Sequence, residues 1–329
     1  MKKRILLLLF IGGILNHTNA QDFHLSQYDA AALNANPGMT GVFKGDYRIH
    51  GHFRTQWMAI ATKPFTTGLI AFDANRGKWG WGIQAANLRA GTGSYNVVSV
   101  LPSFAYKIPF GKKKYSFISV GAQVGMFQKS IKISALTFGD QYSAYDGGSF
   151  SNPTTEAFGD ANHLNLDVNV GAMYYYAKPN IRVNPFGGIS VYHVNRPTES
   201  FIDNGENKLP FRYQAIAGAR VVITDKIAVI PKMLWQHQEQ ANELTFSALG
   251  QFYLESYDLF ILAGGTYRNK DAAIAEVGFK YGNWVGRFSY DINTSTLTNA
   301  TNGRGGSEIS ATYVFNKPNP NPVPTCPKL

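Results

Sequence analysis

The residues DYRIHGHFRTQW, Asp46 to Trp57, alternate between two kinds of side chain. Tyr47, Ile49, Gly51, Phe53, Thr55 and Trp57 fall on one face. Asp46, Arg48, His50, His52, Arg54 and Gln56 fall on the other. A period of two is the mark of an extended strand, because successive side chains point to opposite sides of the backbone. One face here is greasy and the other carries four arginine or histidine side chains. Two settings produce such a strand. One is a soluble sheet with its polar face in water. The other is a barrel wall with lipid outside and a wet lumen inside.

The same period recurs along the chain. Leu164, Leu166, Val168 and Val170 oppose His163, Asn165, Asp167 and Asn169; Ile309, Ala311, Tyr313 and Phe315 oppose Glu308, Ser310 and Thr312. Reading each such run predicts about fourteen strands, at 46–57, 64–74, 78–88, 94–107, 114–128, 162–177, 182–192, 209–223, 226–236, 242–254, 257–267, 272–281, 284–292 and 307–315. The connections discriminate between the two settings. Those after even-numbered strands are mostly of hairpin-turn length, whereas the long ones, near 129–161, 193–208 and 293–306, all follow odd-numbered strands. A soluble sandwich has no reason to gather every long loop at one end, but an outer-membrane barrel has short periplasmic turns and longer outer loops. Trp79, Trp81, Trp284, Tyr281 and Tyr290 lie near predicted strand ends, as interfacial aromatic girdles would. The expected fold is therefore all-β, a transmembrane antiparallel barrel over residues 45–316. On this reading Tyr47, Ile49, Phe53 and Trp57 meet lipid, and the polar face looks into the lumen.

The ends of the chain fit export. Lys2, Lys3 and Arg4 precede an apolar run from Ile5 to Leu15, and a small residue at Ala20 suits cleavage before Gln21. Residues 1–20 read as a signal peptide, and no other run is apolar enough for a membrane helix. The expected location is the outer membrane. An even strand count puts residues 21–44 and the proline-rich tail, 317–329, on the periplasmic side. Phe23, Leu25, Tyr28 and Leu33 need burial, so the first of these segments should enter or cap the lumen as a plug. Removing the three basic residues of the leader leaves 28 basic against 21 acidic side chains. That scattered excess reads as surface and lumen charge, not as a nucleic-acid site. Cys326 is the single cysteine, so one chain can form no disulfide.

Arg48, His50, His52, Arg54, Asp167, Glu276, Lys280, Arg287, Asp291 and Glu308 share the inward parity of their strands and form a candidate lumen network. Closing the barrel pairs the first and last strands, which sets Arg54 near Glu308. His50 and His52 could begin a metal site, but no third ligand stands at a suitable spacing. No nucleophile elbow, phosphate loop or zinc-helix motif is present, so neither catalysis, a metal nor a cofactor is expected.

Two sets of motifs carry a family resemblance. Near the N-terminus these are SQY at 26–28, LNANPGMTG at 33–41 and GDYRIHGHFRTQW at 45–57. Near the C-terminus they are SYDINTSTL at 289–297, GGSEISATYVF at 305–315 and CPKL at 326–329. They resemble the PorP/SprF family of type IX secretion membrane proteins of Bacteroidetes. The positions that carry the match are Gln27, Asn36, Pro37, Gly41, Trp57, Tyr290, Asp291 and Glu308. The resemblance implies a non-enzymatic outer-membrane component of type IX secretion. Its partners would be the secretion machinery with its periplasmic ring proteins, or the C-terminal domain of a secreted adhesin or cargo, in some species in support of gliding. It does not imply the translocation pore itself. The alternative from the barrel alone is an outer-membrane diffusion channel or transporter.

Overall fold

The structure is a computed structural model that describes residues 22–58, 61, 63–91, 95–132, 136–145, 147–155, 161–198 and 207–317. The leader and the tail from residue 318 onward lie outside the described residues. Fourteen strands follow one another: β1 (Tyr47–Gln56), β2 (Phe65–Arg76), β3 (Trp79–Ala90), β4 (Tyr95–Phe110), β5 (Ser116–Ile131), β6 (Ala161–Tyr176), β7 (Val183–Tyr192), β8 (Arg212–Thr224), β9 (Ile227–Gln238), β10 (Ala241–Leu254), β11 (Leu259–Arg268), β12 (Ala272–Tyr281), β13 (Trp284–Asn293) and β14 (Arg304–Phe315). Each pairs antiparallel with its sequence neighbours, and β1 pairs with β14 to close the barrel. Closure leaves no free sheet edge around the wall, which a hydrocarbon environment requires.

The alternation sets the faces. In β1, Ile49 and Phe53 are 42% and 49% exposed, while His50, His52 and Arg54 are buried. The long connections, 132–160, 193–211 and 294–303, gather at one rim; turns such as 77–78, 225–226 and 282–283 form the other. At the short-turn rim an aromatic chain crosses the closing seam. Trp81 packs on Phe72, Phe72 on Tyr47, Tyr47 on Phe315, Phe315 on Tyr313 and Tyr313 on Trp284, with centroids 4.6–5.9 Å apart. These rings point outward, where an amphipathic aromatic belt suits a membrane interface. Tyr290 faces outward too, but stands well inside β13 instead of at its end.

The apolar core lies inside the lumen. Leu25, Ala31, Ala32 and Leu33 pack on Leu69, Ala71 and Ala86 of β2 and β3. Tyr28 and Ala35 pack on Ile216 and Leu234 of β8 and β9. Each leucine so buried contributes about 1.5–3 kcal/mol. Leu25, Tyr28, Ala31, Ala32, Leu33 and Ala35 all belong to the segment 21–44, read above as a periplasmic segment that enters or caps the lumen. That segment runs within the barrel, and its first described residue, Asp22, bonds to Gln238 at the long-loop rim.

Candidate functional site

The candidate site is the lumen itself, occupied by residues 22–41. At the long-loop rim the Asp22 carboxylate lies 2.7 Å from His193 Nε2 and 3.3 Å from Arg212 Nη1. Asp167 takes the other His193 ring nitrogen at 2.9 Å. Burial alone would push the Asp22 carboxyl up, but His193 and Arg212 beside it hold it well below the usual carboxylate range. Burial would push His193 down; the flanking Asp22 and Asp167 instead raise it to about 9. Its imidazole is thus a cation clamped between the threaded segment and the wall.

Deeper in, the SQY stretch meets the closing seam. Arg54 and Glu308 are direct rung partners of β1 and β14, with Arg54 Nη1 2.7 Å from Glu308 Oε2. Glu308 also accepts the backbone N–H groups of Ser26 (2.8 Å) and Gln27 (2.6 Å) and lies 2.7 Å from His52 Nε2. A carboxylate offers about four lone-pair sites, and these four contacts use them all. The Gln27 amide donates to Ser289 Oγ and accepts from Ser310 Oγ. Arg54 Nη2 pairs with Asp291 at 2.8 Å, and the Ser26 hydroxyl donates to the same carboxylate. The β13–β14 ladder slips between Tyr290 and Ile292, so Asp291 has no rung partner in β14. Such irregularities commonly sit beside functional clusters.

His50 and His52 are joined in a hydrogen-bonded chain. His50 Nε2 and His52 Nδ1 share a hydrogen bond at 3.2 Å, and His50 Nδ1 meets the Thr312 hydroxyl at 2.8 Å. With Glu308 as acceptor, His52 Nε2 donates, and one hydrogen-bond direction then runs consistently back to Thr312. Among the described residues, no three potential ligands gather around a metal-sized space. Asp29 pairs with Arg287 at 3.0 Å and with Lys232, and Arg287 pairs in turn with Glu276. Arg48 pairs with Asp73 at 2.7 Å nearer the short-turn rim. Lys280 stands apart from these groups, exposed near that rim and over the Phe260 ring.

The LNANPGMTG stretch is held differently. Residues Ala32–Ala35 make one helical turn and Pro37–Met39 a 3-10 turn. The exposed carbonyls of so short a helix need outside partners. Gln123, Tyr192 and Gln214 supply them, donating to Leu33, Asn34 and Ala35 at 2.7–2.9 Å. Asn36 accepts from Gly38 N–H and donates to the Ile189 carbonyl. Gly41 donates to Asp73 and accepts from Lys107. Below this the chain presses directly on wall backbone. A Cβ on Gly121 would fall 2.2 Å from the Pro37 carbonyl oxygen, and one on Gly80 2.1 Å from that of Thr40. Only glycine permits that approach.

Trp57 corrects the alternation. It follows β1 with φ of 59°, a conformation uncommon for a bulky residue. It is half-buried and lines a mouth cavity of about 360 Å³ with Asp22, His24, Arg212 and Arg268. The strand has ended by this residue, so parity no longer governs its direction. Several residues of the site escape sequence reading, chiefly Asp29, Asp73, His193 and Lys232. For Asp73 and Lys232 a signal exists: each is an isolated charge in an otherwise apolar stretch, at inward parity. His193 lies past the end of β7 and carries none.

A family model described as "Type IX secretion system membrane protein PorP/SprF" matches residues 17–313. No curated protein matches the sequence significantly. Among solved structures, the chain is similar to the Ralstonia pickettii toluene transporter TbuX, with a TM-score of 0.52, 13% identity, and 87% of this chain and 94% of that one covered. The Pseudomonas putida toluene transporter TodX matches with a TM-score of 0.49, 10% identity and coverage of 88% and 93%. At 13% identity the likeness to TbuX extends to the barrel fold alone.

Proposed function

The chain belongs to the PorP/SprF family of type IX secretion system membrane proteins, and from that premise we propose that it is a non-enzymatic, self-plugged interaction barrel of the outer membrane. It supports export or surface attachment of secreted proteins or gliding adhesins. One observation carries this reading: residues 22–41 fill the lumen and bond to the wall at both ends, from Asp22 at the long-loop rim to Gly41 beside Asp73. A barrel filled in this way conducts no polypeptide, so its work falls to its surfaces. The long loops face cargo or the C-terminal domain of an adhesin. The short-turn rim and proline-rich tail face the secretion machinery and its periplasmic ring proteins. The leader is removed near Ala20/Gln21.

Two measurements test the reading. In planar bilayers the full protein should show no stable large conductance. Purified from its own membranes in mild detergent, it should bring down secretion components or a large exported protein. Recovery of neither would sink the proposal. A diffusion channel is the second reading, favoured by the cavity beside Trp57 at the mouth. A stable open conductance in the intact protein would establish that reading in place of the first.

A further inference from the structure

The connections at the short-turn rim hold seven basic against three acidic residues. The short-turn excess is also local. Glu255, which pairs with Lys226, and the acids Asp225 and Asp258 belong to the turns after β8 and β10. The turns after β2, β4 and β6 are neighbours along the rim and contain no acid at all. They present Lys78, Lys112, Lys113, Lys114, Lys178 and Arg182, all exposed. Among the described residues, none of the six makes an ion pair.

Directly beyond these turns the wall carries outward aromatic rings. Trp79 packs at a tilt on Tyr106 with centroids 4.6 Å apart, Phe110 lies 6.0 Å from Tyr174, and Trp79 and Phe104 are 62% and 64% exposed. Such rings settle at headgroup depth. Side chains one turn further out then stand in the phosphate layer, where each lysine or arginine attracts anionic lipid. We propose that the β2–β7 sector of the short-turn rim binds the headgroups of anionic phospholipids in the leaflet that holds this aromatic belt. The occupant is lipid because the belt puts lipid phosphate at that height around the whole wall, and the six cations have no protein counter-charge. Preferential binding there would fix the barrel's depth and give its short-turn rim a defined lipid surround.

The test uses the full chain with Trp57, Trp235 and Trp284 changed to phenylalanine, so that Trp79 and Trp81 report on this rim. It is inserted into phosphatidylcholine vesicles containing either brominated phosphatidylglycerol or brominated phosphatidylcholine, and quenching gives the relative binding of the two lipids. The expected preference for phosphatidylglycerol is about fivefold or more at low salt, falling toward unity near ~1 M salt. Changing the six cations to glutamine should abolish it. Changing Lys63, Lys132, Arg196, Lys208 and Lys270 at the other rim to glutamine should leave it intact, which controls for all but one unit of the charge removed. Equal quenching by both lipids, or a preference that survives the six changes, overturns the proposal and leaves this rim to an acidic protein. The proposal rests on the barrel lying in a bilayer. Failure to give a heat-modifiable folded band in either vesicle would overturn both, whereas insertion without lipid preference overturns this inference alone.

Discussion

The two halves of the threaded segment are held by different physics. Residues 22–29 are held by charge, through Asp22 on His193 and Arg212, Ser26 and Gln27 on Glu308, and Asp29 on Arg287 and Lys232. Residues 36–40 are held by shape, with backbone pressed on wall glycines and a few neutral hydrogen bonds, and only Gly41 at the end has charged partners, Asp73 and Lys107. Charged contacts in a low-dielectric lumen are strong when complete and costly when broken. Close backbone packing has no such dependence on ionisation. One half can therefore be released by changing a proton, and the other only by moving the chain.

The sharpest way to break this contrast is Arg54→Ala. It takes the shared cation from the buried carboxylates Glu308 and Asp291, leaving Asp291 only the longer Arg268 contact at 3.7 Å, and should cost about 3–5 kcal/mol in unfolding experiments followed by heat-modifiable gel mobility. A loss below ~1 kcal/mol would mean the seam cluster does not hold the upper half. On the lower half, Gly80→Ala forces a methyl into the Thr40 carbonyl and should cost roughly 1–3 kcal/mol. Its effect should not change with pH, and a pH-dependent cost would contradict the shape argument.

A pH titration separates the halves directly. His193 has its folded value raised to about 9, above an unfolded value near ~6.5. Its contribution is fully present below the unfolded value and is lost as pH rises through the folded one. Protection of the amides of residues 22–26, corrected for the base-catalysed rise of intrinsic exchange, should therefore fall between those values, while that of residues 36–40 stays constant. A simultaneous fall in both would refute separate anchoring. The smallest effect is expected away from the lumen, at Lys226→Gln. The Lys226–Glu255 pair is exposed, and such pairs contribute ~0–1 kcal/mol.

Much of this was legible in the residues. Period-two alternation pointed to about fourteen strands, though it is poor in the second, and the inward parity of Arg54 and Glu308, with the antiparallel closure of first on last, gave their contact. Burial demand in Phe23, Leu25, Tyr28 and Leu33 pointed to a lumen-seeking segment. What could not be read was its path. Many of its bonds join residues more than a hundred positions apart, such as Tyr192 to Asn34 and Ser310 to Gln27. Nothing in local pattern encodes which wall residue a threaded chain will meet. Lys280 shows the limit of parity from the other side: it has the inward register but stands too near the rim to enter the lumen.

DYRIHGHFRTQW contains both kinds of information. By itself the sequence determined that these residues form a strand, which side chains lie on each face, and that the strand belongs to a closed wall. It could do so because a strand's repeat is local and every rung repeats it. The tertiary structure alone decided that Glu308 spends its lone pairs on Ser26, Gln27, His52 and Arg54, and that Trp57 turns to the mouth and away from lipid. Those outcomes depend on a segment threaded through the lumen, and on a strand ending one residue too soon for its own period to apply.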